Sequence, residues 1–244
     1  MPRSEFIHLH LHTQYSLLDG ACRIPEILAL ANQYKMDSLA ITDHGNMFGA
    51  IEFYLEAQKA GIKPIIGCEV YVAPGSRLDK TASGIDEASY HLILLVRDEV
   101  GYQNLMKLVS IGYLEGFYYR PRVDKEVLAQ YSAGLIGLSA CLKGEIPVML
   151  AQKRFNDALK AADTYLNIFG KGNFYLEIQP NSIAEQKIVN EGLMKISTEL
   201  NIPLVATNDV HYLNRDRAAS HEAQLCIQTQ TTLDDPNRMR FQTD

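Results

Sequence analysis

Three histidines alternate through the run His8-Leu9-His10-Leu11-His12, three of the seven in the chain. In extended chain, period-two spacing puts all three side chains on one face, so His10 and His12 can reach a common ion. Imidazoles are poor filler for a buried strand, because burial without partners costs free energy. Other candidate donors follow at intervals: Asp19 in SLLDG, Asp43 and His44 in ITDHGN, Glu69 in IIGCEVYV, Cys141 in LSACLKGE. Asp209 and His211 in NDVHY repeat the period-two spacing. Imidazole, carboxylate and thiolate together suit zinc or manganese, with room left for water. Filled with cations, such a site would attract an anionic group such as phosphate, which the empty site would repel.

Seven short apolar, β-branched runs are available to position these groups: Phe6–Leu11, Ser38–Thr42, Pro64–Val72, His91–Val96, Gly134–Ser139, Phe174–Ile178 and Pro203–Thr207. Most are near-continuous apolar stretches, as in strands buried on both faces. Between them, Leu159, Ala162, Leu166 and Phe169 fall at helical spacing before a stop at Gly170, and Val189, Leu193, Ile196 and Leu200 repeat the pattern. Alternation of this kind predicts right-handed βαβ units and a seven-stranded barrel. Most candidate donors then sit at or beyond the C-terminal ends of strands, the face where barrel enzymes do chemistry. His91 is the exception, because it begins its strand; either that strand runs against the others or the preceding stretch brings it round. That stretch, Pro74–Ser89, is polar and reads as a mobile surface excursion.

The chain of 244 residues carries a net charge of −6, which disfavours a tight duplex-DNA clamp built on phosphate neutralisation. An anionic substrate stays compatible if bound cations supply local positive charge. Four cysteines lie far apart with no CxxC pair, so a disulfide framework or zinc knuckle is not expected. No run is apolar enough for a membrane span and the first residues lack a signal-peptide pattern, so the expected setting is the cytoplasm, without membrane contact. For Cys141 the residues alone leave two readings, a thiolate ligand or a small buried hydrophobe.

HLHLHTQYSLLDG, ITDHGNMFGAIEFY, GIKPIIGCEVYV, YHLILLVRDEVGYQNL, FYYRPRVD, LSACLKGEIP, ATNDVHY and TLDDPNRMRF together resemble the PHP domain of bacterial DNA polymerase III alpha subunits. The resemblance spans residues 5–244 and implies a distorted (β/α)7 barrel forming a single domain, the N-terminal part of a longer polymerase chain. It implies three divalent ions: zinc, manganese or iron. By motif, His10, His12, Glu69 and Asp209 would hold one ion; Glu69, His91 and Cys141 a second; Asp19, His44 and His211 the third. Many members have histidine where Cys141 stands. A water activated by the ions would attack, with no side chain as nucleophile. The implied activity is a proofreading 3′–5′ exonuclease on a DNA 3′ end, single-stranded or at a primer terminus. Arg120, Arg122 and Lys143 are the expected phosphate contacts, Asp43 would orient a ligand, and His8 would be structural or stand behind the ligands. Nothing resembles a polymerase palm, so this chain is not expected to synthesise DNA.

The competing reading is a catalytically silent scaffold, stabilised by metal, that docks a separate proofreading subunit or the polymerase body. A histidinol-phosphate-type phosphatase is disfavoured by the polymerase-like C-terminal stretch. An amidohydrolase would want eight strands and a bridging carboxylated lysine, and neither is found.

Overall fold

The computed structural model describes residues 4–181 and 183–241. In chain order the helices are α1 (Ile24–Gln33), α2 (Ala50–Lys59), α3 (Ile85–Ala88), α4 (Glu99–Leu114), α5 (Lys125–Gln130), α6 (Glu145–Ala151), α7 (Phe155–Phe169), α8 (Ala184–Leu200) and α9 (Ala218–Thr229). The strands are β1 (Ser38–Ile41), β2 (Lys63–Val72), β3 (Tyr90–Val96), β4 (Arg122–Val123), β5 (Leu135–Leu138), β6 (Phe174–Ile178) and β7 (Leu204–Ala206). The fold is α/β. Contacts gather the chain into two compact units, one of residues 1–44, 48–66 and 208–244, the other of 45–47 and 67–207.

In the first unit, β1 pairs in parallel with the opening residues of β2, Ser38 opposite Lys63 and Ile41 opposite Ile66. Pro25 sits in the first turn of α1, where a missing N–H costs nothing. That helix turns Ile27, Leu28 and Ala31 inward against Leu39, Ile41, Phe53 and Ile62. The predicted first strand, Phe6–Leu11, is extended chain rather than a ladder. Its backbone bonds are split between two neighbours: His8 O accepts from Ala40 N at 3.0 Å, His10 O from Val210 N at 3.1 Å, and His12 N donates to Val210 O at 2.8 Å. The Thr42 hydroxyl takes the Leu11 N–H at 2.9 Å and so interrupts regular pairing. The segment still alternates its side chains, which is what the histidine repeat requires.

In the second unit β3 runs antiparallel to both β2 and β5, while β5 pairs parallel with β6 and β6 with β7. This resolves the position of His91: the start of a reversed strand lies level with the C-terminal ends of its parallel neighbours. The predicted helices follow their apolar spacing. α7 buries Ala158, Ala162, Tyr165 and Phe169 and stops at Gly170, whose φ of 81° suits glycine. α8 buries Val189, Leu193 and Ile196 and ends on Asn201 in the left-handed region.

The excursion at Pro74–Ser89 contains the short helix α3 and is tied down by Arg122. Arg122 is 2% exposed, and its guanidinium donates to the carbonyls of Gly116, Ala88, Arg77 and Asp79 at 2.7–3.2 Å. Arg77 in turn reaches Asp124 and Glu115. The expectation of a phosphate contact at Arg122 is therefore corrected: its donors are spent on backbone carbonyls inside the protein.

Candidate metal centre

In the first unit the segment 10–12 and the segment 208–211 lie side by side through the backbone bonds at Val210. His10 and His12 are fully buried, and their Nε2 atoms stand 3.1 Å apart. Asp209 Oδ1 lies 3.0 Å from the first and 3.3 Å from the second. Ligands held about 2.0–2.1 Å from a single zinc-like ion are separated by roughly 3.0–3.4 Å, so the three atoms have the spacing of donors sharing a cation.

Beside them, Asp19, His44 and His211 form a second group. His44 Nε2 is 3.0 Å from Asp19 Oδ2, and His211 Nε2 is 3.7 Å from Asp19 Oδ1, an atom that is buried and has no hydrogen-bond partner among the described residues. Donor atoms of His12, His44 and His211 all lie within 4.8 Å of one another. His211 Nδ1 is 2.9 Å from the backbone oxygen of Asp209. A carbonyl only accepts, so Nδ1 carries the proton and Nε2 keeps its lone pair for a cation.

The electrostatics of the group match. Burial alone would raise Asp19, but the hydrogen bond from His44 and the charges of His211 and His44 hold it far below the carboxylate range. Burial opposes ionisation of Asp209 too, and His10 and His211 overcome it. Burial, reinforced by His12, pushes His211 down to about 4, so it is neutral at physiological pH. Ionised Asp19 and Asp209 beside a neutral His211 are the protonation state that a divalent ion needs.

The second unit supplies Glu69, His91 and Cys141. Tyr71 pairs with His91 across the antiparallel strands, so Glu69, two residues back on the same face, is diagonal to it. Glu69 is fully buried and its Oε1 contacts His91 Nδ1. Cys141 Sγ lies 3.9 Å from the same nitrogen. The bend that carries Cys141 past β5 is held by the bond from His91 N to Lys143 O at 3.0 Å. Arg120 is half-buried with its guanidinium over the Tyr71 ring, 5.5 Å from the centroid, and that ring meets His91 edge-on. Lys143 is exposed.

Several supporting residues carried no chemical signal in the sequence. Ser16 and Thr13 connect Asp43 to the segments that carry the candidate ligands. His221, on α9, is 1% exposed and its Nε2 lies 2.8 Å from Asp19 O. Gly20 packs so closely that a Cβ would fall 2.0 Å from Thr13 O, which fixes the turn after Asp19. Period and motif single out donors; they do not single out a hydroxyl or a distant histidine that holds a donor in place. His8 stays apart from these groups, stacked edge-on against Phe6 with Nδ1 unpartnered among the described residues.

A model of the PHP domain family matches residues 8–181. The chain is 52% identical over 242 residues to the DNA polymerase III subunit alpha of Borreliella burgdorferi, covering 99% of this chain and 21% of that one. It is 48% identical to the subunit of the same name from Thermus aquaticus, covering 98% of this chain and 20% of the relative. The chain thus spans about a fifth of the length of the curated relatives it matches. Among solved structures, a protein described as a metal-dependent phosphoesterase from Bifidobacterium adolescentis superposes with a TM-score of 0.52 at 13% identity, over 92% of this chain and 98% of that one. An amidohydrolase from Chromobacterium violaceum gives 0.51 at 16% identity, over 89% and 96%. At these identities the likeness is one of fold.

Proposed function

The chain belongs to the PHP domain family, and from that premise we propose that it is a metal-dependent phosphoesterase, a 3′–5′ exonuclease within a replicative DNA polymerase III alpha subunit. The observation that carries the reading is the convergence of the fully buried His10 and His12 with the half-buried Asp209 at 3.0–3.3 Å, the carboxylate held ionised by its histidine neighbours. We assign three divalent ions, of zinc, manganese or iron, to the nine donors His10, His12, Asp19, His44, Glu69, His91, Cys141, Asp209 and His211. The assignment of Glu69, His91 and Cys141 to the same centre as the first unit's donors rests on the family resemblance.

Divalent ions held there would supply Lewis acidity toward a phosphodiester. The chain's own residues prepare for them. Asp19 and Asp209 stay ionised, His211 stays neutral, and the His91 ring is held by Glu69. Arg120, propped against Tyr71, and the exposed Lys143 are the side chains proposed to orient phosphate oxygens. The substrate is the 3′ end of DNA, free or at a primer terminus, in the cytoplasm.

The test is release of nucleotides from a labelled DNA 3′ end with added Mn²⁺ or Zn²⁺. The expected result is hydrolysis that His12→Ala abolishes without unfolding the chain. Metal binding with no hydrolysis would establish the second reading, a metal-stabilised scaffold that docks the polymerase body or a separate proofreading subunit. That reading draws support from the large remainder of the relatives, about four-fifths of their length, which this chain does not cover.

A further inference from the structure

Ser16 stands at the crossing of several bonds. Its Oγ lies 2.7 Å from Asp43 Oδ1, 3.0 Å from His12 Nδ1 and 3.1 Å from His44 N. Its backbone oxygen accepts from Asp19 N at 3.0 Å and from Gly20 N at 2.8 Å. Asp43 is 2% exposed and also receives Thr13 N at 2.7 Å and Thr13 Oγ1 at 2.8 Å.

The protons can be counted. A carboxylate has none to give and a hydroxyl has one. Two oxygens 2.7 Å apart need a proton between them, so Ser16 must donate to Asp43. Its lone pairs then face His44 N–H and His12 Nδ1, and the His12 contact is a hydrogen bond only if the proton is on Nδ1. Nε2 then carries no proton and turns its lone pair toward Asp209 and His10. We infer that Ser16 and Asp43 form a relay that fixes the tautomer of His12, with Ser16 the positioning residue that makes this ring a ligand before any ion arrives.

The same hydroxyl accepts from the backbone of His44, and the Ser16 carbonyl holds that of Asp19. One serine therefore sets three proposed ligands in a single unit of the fold. Most metal-bound histidines donate their second nitrogen directly to a carboxylate or carbonyl. Here the carboxylate acts through an intervening hydroxyl, and that hydroxyl has capacity left for a second ligand segment.

The inference rests on His12 being a ligand, as proposed above, and is tested without activity. Nitrogen-15 spectra of the intact chain, stripped of metal at about pH 8 where imidazoles are neutral, read the tautomer of His12 directly. The expected result is an Nδ1-protonated ring in the wild type. Ser16→Ala should give a mixture of tautomers and weaken zinc binding, measured by competition with a chromophoric chelator, by about 10- to 100-fold. Asp43→Asn should keep the wild-type tautomer, because Thr13 N–H obliges the amide to leave its oxygen where Ser16 donates. An Nε2-protonated His12 in the wild type overturns the inference, and so does a Ser16→Ala protein with unchanged ring and affinity. Should Ser16→Ala not fold, the wild-type and Asp43→Asn spectra still decide. A chain that binds zinc with the predicted tautomer but hydrolyses nothing would refute the exonuclease reading and leave this one standing.

Discussion

Three donor-bearing segments place a non-glycine residue in left-handed backbone: Leu18 before Asp19 at φ 63°, Ala140 before Cys141 at 62°, and Asp209 itself at 50°. Each such residue costs on the order of 1 kcal/mol, and such costs collect where a side chain must be aimed. At Gly20 the constraint is contact: Gly20→Ala would drive a methyl into the Thr13 carbonyl. We expect a loss of about 2–3 kcal/mol in denaturant unfolding and weaker metal binding by titration, because the turn carrying Asp19 must shift. The depressed His211 gives a pH prediction. Its folded pKa of about 4 lies below the unfolded 6.5, so between these values the unfolded chain binds more protons. Stability of the metal-free chain should therefore fall as pH drops through that window. The low-lying Asp19 and Asp209 contribute stability that is lost only at more acid pH. Thermal melts across a pH series after chelation check this, and a flat profile from neutrality to pH 4 would contradict it.

Among the elements, helices α7 and α8 and the later strands were legible because apolar periodicity is set by burial; the stop of α7 at Gly170 was legible too, whereas the left-handed Asn201 that ends α8 carried no signal. The candidate donors stood out as residue types, since few other roles explain a buried glutamate or alternating histidines. The direction of β3 was not: an apolar run reads the same in either orientation, and only pairing with β2 and β5 decides it. Arg122 was misread for a related reason. A basic residue in a polar stretch looks like surface until the carbonyls that surround it are seen. Arg122→Ala should leave four carbonyls without their donor and cost about 3 kcal/mol or more, read by chemical denaturation. Arg122→Lys should recover little, because an ammonium cannot spread a planar fork over four acceptors. Hydrogen exchange in residues 77–88 should rise in both variants, while the core amides of β6 and α8 are unaffected.

For the whole molecule the governing quantity is charge. At −6 overall, the protein has no electrostatic reason to hold DNA unless cations are bound. Fluorescence anisotropy should show no appreciable binding of single-stranded DNA to the chelated protein at about 0.1 M salt, and binding once Mn²⁺ or Zn²⁺ is restored. Strong binding to the chelated protein would mean a metal-independent contact. Among the described residues no helix is long and apolar enough to cross a membrane.

The antiparallel turn of β3 returns the chain to the end it has just left, so the sheet does not dictate how long the connection must be. Arg122 grips that connection at both necks, through Arg77 and Asp79 on one side and Ala88 on the other. What lies between is a lasso whose circumference is free to vary. At Gly84, where an added Cβ would meet nothing within 4 Å, extra residues should cost little beyond loop closure, about 0.6 kcal/mol per doubling. That makes the tip a natural port for a tether, a fluorophore or a grafted peptide.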